Sequence, residues 1–258
     1  MRVALQNCSF SYRGGGGVVP VFKNLSLVIG PETAAENPVV ILGPSGSGKT
    51  TLLKLIAGLL VPETEGPGRA AAALPADSPA DAAVNALPGP FVFQESRLVP
   101  WLNALENVYL PLKRTMGRAD GERRARRFLE LVSLDGKAGV FPGELSGGEQ
   151  QRVSIARAFA YPAPAIYLDE PFQSLDIPLK LELLEMTRSL IEKEGRLAVV
   201  VTHDPREAVF LGRRIIVLGK NAGGVVFDEP VILPREERAF GTGAQNRLEA
   251  RLLAALRG

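Results

Sequence analysis

Histidine and cysteine each occur once in these 258 residues, as His203 and Cys8. A lone cysteine excludes an internal disulfide and fits a reducing compartment. No apolar stretch approaches the roughly 20 residues that a membrane-spanning helix needs. The longest strongly apolar run is Leu55 to Val61. Excess charge is also missing: 30 basic against 28 acidic residues leave a net +2. That balance is too mild to imply a nucleic-acid partner. The one basic run, "RRARR" at 123–127, reads as the wet face of a helix whose other side is Phe128, Leu129, Leu131 and Val132. The opening "MRVALQNCSF" lacks the apolar core of a secretory leader, so none is expected. There is no internal repeat.

What is present is the composition of a folded chain, 46% hydrophobic and 22% charged. The length suits one large domain, with or without a small appendage. Apolar runs with strand character are "VVILG" (39–43), "FVF" (91–93), "AIYLD" (165–169), "LAVVV" (197–201) and "RIIVLG" (214–219). Most are unbroken and rich in Val, Ile and Leu, as strands buried on both faces of a parallel sheet are. Helical patterns alternate with them: Lys49–Leu60, Arg118–Leu134, Glu149–Ala160, Leu179–Glu194 and Pro205–Leu211. Alternating strands and helices predict α/β layers. A short amphipathic helix is expected over Ala244–Leu256. "RGGGG" at 13–17 reads as a flexible turn, and the Ala/Pro/Gly-rich stretch 62–90 as a long surface loop or irregular strands.

Two motifs carry phosphate chemistry. "GPSGSGKT", Gly43 to Thr50, fits G-x-x-x-x-G-K-[ST] between an apolar strand and a helix. In that setting the backbone N–H groups of Gly43, Pro44, Ser45, Gly46, Ser47 and Gly48, save for the proline nitrogen, can close around phosphate, helped by the positive end of the helix. Lys49 would reach the β- and γ-phosphates and Thr50 would hold Mg²⁺, with Thr51 next in the helix. "AIYLDE" supplies the second half. Its strand delivers Asp169 to the C-terminal edge of the sheet, where α/β proteins bind ligands. Asp169 can hold Mg²⁺ there, and Glu170 can act as general base on a water near the γ-phosphate.

"LSGGEQQR", Leu145 to Arg152, is half a site. Ser146 followed three residues later by Glu149 is a capping-box pattern. Gly147 and Gly148 leave the first N–H groups of the helix open to an anion. There is no lysine and no metal ligand beside them.

With this stretch the chain resembles the ATP-binding cassette (ABC) ATPases, over nearly its whole length. The resemblance implies a P-loop NTPase core with a mainly parallel sheet, an N-terminal antiparallel β subdomain and a helical subdomain carrying the signature. Within a single ABC domain, residues 1–93 and 162–220 would form the core, 94–161 the helical subdomain and 221–258 a strand/helix extension. It implies ATP and Mg²⁺ as ligands, and a second copy whose Ser146–Glu149 segment closes over ATP held on the first. Tyr12 in "SFSY" then matches the aromatic that stacks on adenine. Gln94 in "VFQE" matches the glutamine that meets Mg²⁺ and faces the membrane subunit. Asp176 in "SLD" matches the loop crossing the dimer interface, and His203 the switch histidine.

"RLVPWLNALENV" (97–108) and "THDPREAVFLGRRIIVL" (202–218) look like the ATPases of nitrate, sulfonate, taurine and thiamine-precursor importers. Other features depart from that branch: Glu149-Gln150 where Met-Arg is frequent, Gln173-Ser174 where Gly-Ala is usual, and the Ala/Pro stretch in place of an Asp-Gly hairpin. Import is the leading expectation, with export or lipoprotein release as the alternative and a non-transport ABC ATPase behind it. An importer implies separate permease subunits, a separate solute-binding protein and a peripheral place on the cytoplasmic face of the membrane. Finally, Asp204 can cap a helix, Pro205 suits its first position and Glu207 lies three after the cap. His203 would thus stand on the connection leaving a strand's C-terminal edge, placed to sense the γ-phosphate.

Overall fold

The computed structural model describes residues 2–14, 17–30, 37–63, 83–173, 175–220 and 224–257. In chain order the strands are β1 (Val3–Gly14), β2 (Gly17–Ile29), β3 (Val39–Leu42), β4 (Ala83–Val84), β5 (Phe91–Val92), β6 (Ala165–Asp169), β7 (Leu197–Thr202), β8 (Arg214–Leu218) and β9 (Val225–Pro230). The helices are α1 (Lys49–Ile56), α2 (Ala104–Tyr109), α3 (Arg118–Leu131), α4 (Gly147–Ala160), α5 (Ile177–Glu194), α6 (Pro205–Leu211) and α7 (Gly243–Arg257). They fall into two compact units, Met1–Pro88 with Val199–Gly258, and Gly89–Ala198. The division groups residues 162–198 with 94–161.

In the first unit, β3 pairs in parallel with β7 on one side and β8 on the other, and β9 closes the edge antiparallel to β8. Every residue of β3 and β7 is buried, which is why those runs are unbrokenly apolar. On β9 exposure alternates, as on a strand with one wet face. A second, antiparallel sheet has the order β2-β1-β4. Gly14 at the end of β1 is paired with Gly17 at the start of β2, and Gly15 and Gly16 of the expected "RGGGG" turn lie outside the described residues. Of the 62–90 stretch, β4 pairs with β1, and residues 64–82 lie outside the described residues. α7 lies against α6. The wholly buried Arg238 donates from Nη1 to the Gly212 carbonyl at the end of α6 (2.9 Å).

In the second unit, β5 and β6 run parallel. α2, α3 and α4 pack on one another, and α5 meets α4. α3 buries Gly121, Ala125, Phe128 and Leu129, while Arg123, Arg126 and Arg127 are exposed, the amphipathic division expected of it. Arg124 turns inward to the Ala160 carbonyl. α2 is an element with no counterpart among the helical patterns above. Its six residues are too few for a periodic signal, and Asn103 starts it with a reciprocal capping box to Glu106.

Candidate functional site

The phosphate loop leaves β3 at Gly43 and enters α1 at Lys49. Gly46 and Gly48 hold φ of +80° and +92°, the left-handed region that favours glycine. A Cβ on Gly48 would also come within 2.7 Å of Val21 and Phe22, and one on Gly43 within 2.6 Å of Ser47 Oγ. The loop therefore takes a path that favours glycine at 46 and 48 by conformation, and at 43 and 48 by close approach of neighbouring side chains. Ser47 Oγ is buried with no hydrogen-bond partner among the described residues. Such a hydroxyl is costly unless something accepts from it, and a phosphate oxygen would. Lys49 is buried, its Nζ donating to the Pro44 carbonyl at 3.1 Å across the loop. Pro44 and Thr50 are half-buried, and Ser45 and Gly46 face solvent. Thr51 is buried, and its hydroxyl lies 3.2 Å from that of Tyr12. Tyr12 also stands edge-on to Phe10, 5.1 Å between ring centres, and stays 45% exposed. An exposed aromatic is thus anchored to the helix that begins at the loop.

Strand register brings His203 to the same place. Leu42 is paired with Thr202 on neighbouring parallel strands, so Gly43 and His203 leave the sheet side by side. His203 is exposed, between two fixed residues. The Thr202 hydroxyl donates to the buried Glu207 carboxylate (2.5 Å) and accepts from Asp204 N–H (3.1 Å). Asp204 caps α6 by accepting from Arg206 N–H at 2.9 Å. Glu207, read from the sequence as the third residue of a cap motif, reaches instead to Thr202. Its burial makes the strand-end hydroxyl the better partner.

In the second unit, Val92 is paired with Leu168, so the same argument sets Gln94 beyond β5 beside Glu170 beyond β6, with Asp169 the last residue of β6. Asp169 is buried and Gln94 exposed. Glu170 is half-buried and holds φ of +48°, uncommon for any residue but glycine or asparagine.

The signature helix starts as its spacing predicts. Ser146 Oγ accepts from Glu149 N–H (3.3 Å), and the Glu149 carboxylate accepts from Ser146 N–H (3.0 Å). Lys137 also donates to Glu149, and that contact, then the Ser146 N–H, holds this carboxyl below the usual carboxylate range. The glycine pair divides in role. A Cβ on Gly147 would meet nothing, whereas one on Gly148 would lie 2.4 Å from Leu179 of α5. Gly148 thus leaves room for Leu179 to pack on the start of the helix as well as leaving its N–H groups open. Asp176 is exposed and precedes α5 without capping it through its side chain. Ser174 lies outside the described residues.

Two positioning residues gave no sequence signal. Trp101 is 75% exposed, and the turn presenting it is fastened by the buried Asn107. The Asn107 Oδ1 accepts from Val99 N–H (2.8 Å), and its Nδ2 donates to the carbonyls of Val99, Leu102 and Asn103. The other is Gln151, which is buried beneath the loop that holds Gln94. Polar residues inside helices are ordinary in sequence, and only burial marks these as unusual.

The sequence profile of ABC transporters matches residues 23–173. The chain belongs to the ABC transporter family. This cassette is 38% identical over 213 residues to the taurine import ATP-binding protein TauB of Pseudomonas savastanoi pv. phaseolicola, covering 81% of this chain and 76% of that protein. It is 37% identical to the aliphatic sulfonates import ATP-binding protein SsuB 2 of Mesorhizobium japonicum, covering 90% and 91%. The dimeric structure of MJ0796, a bacterial ABC transporter cassette, superposes with a TM-score of 0.71 at 32% identity, covering 90% of this cassette and all of that one. The MJ0796 dimer in a post-hydrolysis state, bound to ADP and phosphate, gives 0.69 at 33% identity.

Proposed function

We propose that this cassette is the ATP-hydrolysing subunit that drives uptake of a small solute, of the sulfonate, taurine, nitrate or thiamine-precursor kind, through a separate membrane permease. The observation carrying this reading is the phosphate loop: a glycine cradle with a buried lysine, an orphaned hydroxyl, a tethered exposed tyrosine, and His203 leaving the adjacent strand. Gly43–Gly48 grip the phosphates of ATP, Lys49 neutralises them and Tyr12 stacks on the base. Glu170 takes the proton of the attacking water, and His203 holds that water or the γ-phosphate in line. Phosphoryl transfer depends on such positioning and charge more than on covalent chemistry.

Mg²⁺ supplies further charge neutralisation when bound. Thr50, Asp169 and Gln94 offer it oxygen donors only, which suits a hard cation. Among the described residues no three acidic, histidine or cysteine side chains form a metal cluster, so nucleotide and water would complete its shell.

Ser146–Glu149 and Asp176 serve a second copy, since each chain carries two complementary half-sites. Residues 94–161 act as the helical subdomain. Gln94 to Trp101, with the exposed indole, receive the permease. Among the described residues no helix is long and apolar enough to cross a membrane, in keeping with a peripheral subunit at the cytoplasmic face. A separate solute-binding protein would choose the cargo.

Glu170→Gln tests the reading. It should keep ATP affinity, lose most turnover and elute as a dimer in Mg-ATP on gel filtration. A variant that binds ATP, hydrolyses it at the native rate and stays monomeric would refute it.

A further inference from the structure

One amide spans the two segments that carry Gln94 and Glu170. Gln151, on the first turns of α4, is only 4% exposed. Its Nε2 donates to the carbonyl of Phe93 at 3.1 Å and to that of Pro171 at 2.9 Å. Phe93 is the residue before Gln94, and Pro171 the residue after Glu170. Both protons of the amide are used, one on each segment. Two more side chains of α4 hold the first segment. Gln150 accepts from Ser96 Oγ (3.2 Å), and its own Nε2 donates to the carbonyls of Pro142 and Leu145 ahead of the signature. Arg157 donates to the carbonyls of Ser96 (2.8 Å) and Arg97 (2.9 Å).

We propose that Gln151 is a positioning residue for hydrolysis: its single amide fixes the backbones flanking Gln94 and Glu170 to the helix that opens with Ser146. The physical reason is the cost of stranding the buried Pro171 carbonyl together with the joint loss of the bonds to Phe93, Ser96 and Arg97. Segment 93–97 cannot shift from α4 without breaking several hydrogen bonds at once, so loop and signature helix move as one body. A displacement at Gln94 is then transmitted to Ser146–Glu149, and the same amide keeps Glu170 in register with both. This rests on the proposed roles of Gln94 and Glu170 toward ATP.

The test uses the full chain with Gln151→Met, which keeps the volume and removes both donors. Amide hydrogen exchange in 93–97 and in 170–173 should rise together, by about tenfold or more. Turnover at saturating Mg-ATP should fall by about 10- to 100-fold, as for a group displaced by a fraction of an ångström to an ångström. ATP affinity should stay within about twofold, because the phosphate loop is untouched. Added to Glu170→Gln, the substitution should cause no further loss of the residual turnover. Unchanged exchange in either segment, or native turnover per folded molecule beside a lowered melting temperature, would reduce Gln151 to a packing residue. Arg157→Met is the second variant, expected to loosen 93–97 and spare 170–173; if Gln151→Met does not fold, native exchange at 93–97 in Arg157→Met overturns the proposal. If Glu170→Gln turns over normally, the proposed role of Glu170 fails, and the exchange pattern still decides whether Gln151 holds both segments.

Discussion

Glu170 holds a left-handed backbone conformation, φ +48°, at the end of a buried strand. Such a conformation costs a residue with a Cβ roughly 1–2 kcal/mol, and glycine nearly nothing. Glycine loses more chain entropy on folding, which offsets part of that gain. Glu170→Gly should therefore unfold in urea at a higher concentration than Glu170→Ala, by about 1 kcal/mol of stability, with both nearly inactive. Equal midpoints would mean that the backbone relaxes when the carboxylate is removed. The strain sits on the proposed general base, where a rigid approach to water is useful. His203 is the opposite case, an exposed side chain on a fixed backbone. His203→Ala should fold normally and bind ATP with little change. Its turnover should fall by the roughly 10²–10⁴ range of a lost proton-handling group, read from steady-state ATPase beside nucleotide affinity. Near-native turnover would leave His203 as a polar strand end.

The signature helix α4 shows how an element is set by its first turn. Its cap is reciprocal, and Lys137 adds a charge to the Glu149 carboxylate. Ser146→Ala should cost about 1 kcal/mol of stability. The folded state lowers the Glu149 pKa, so between the native and unfolded values the unfolded chain binds more protons. Glu149 therefore stabilises the fold fully above the ordinary carboxylate range, and that contribution disappears as pH falls through the lowered native value. The stability gap between the native chain and Glu149→Gln should shrink from about pH 6 to below about pH 4, by urea titration at each pH. A constant gap would show that hydrogen-bond geometry, not charge, sustains the cap. The same helix places Gln150, Gln151 and Arg157 under the Gln94 segment, so one element serves both the half-site and the loop.

At the scale of the whole molecule, Cys8 gives a reporter for the unit that holds the phosphate loop. It is fully buried, and burial pushes its thiol up to about 11. The thiolate is the reactive form, so the native chain should be almost inert to alkylation near pH 8 and react through unfolding. Mg-ATP at about a hundredfold excess over Kd adds roughly 2.7 kcal/mol to a state that binds it. Alkylation should then slow by about a hundredfold, followed by mass spectrometry. Labelling indifferent to ATP would place the opening in a local fraying of β1. The sequence by itself determined what rests on local order: the buried strands, the amphipathic face of α3, the phosphate loop, the cap at Ser146 and the family. These follow from residues adjacent in the chain or one helical turn apart, where spacing alone fixes the partners. Only tertiary structure decided the rest. The pairing of Leu42 with Thr202 puts His203 beside the phosphate loop, Leu179 packs where a side chain at 148 would begin, and Gln151 reaches carbonyls 58 and 20 residues away. Contacts of that range are set by strand register and helix packing, which depend on the whole buried surface rather than on any one stretch of sequence.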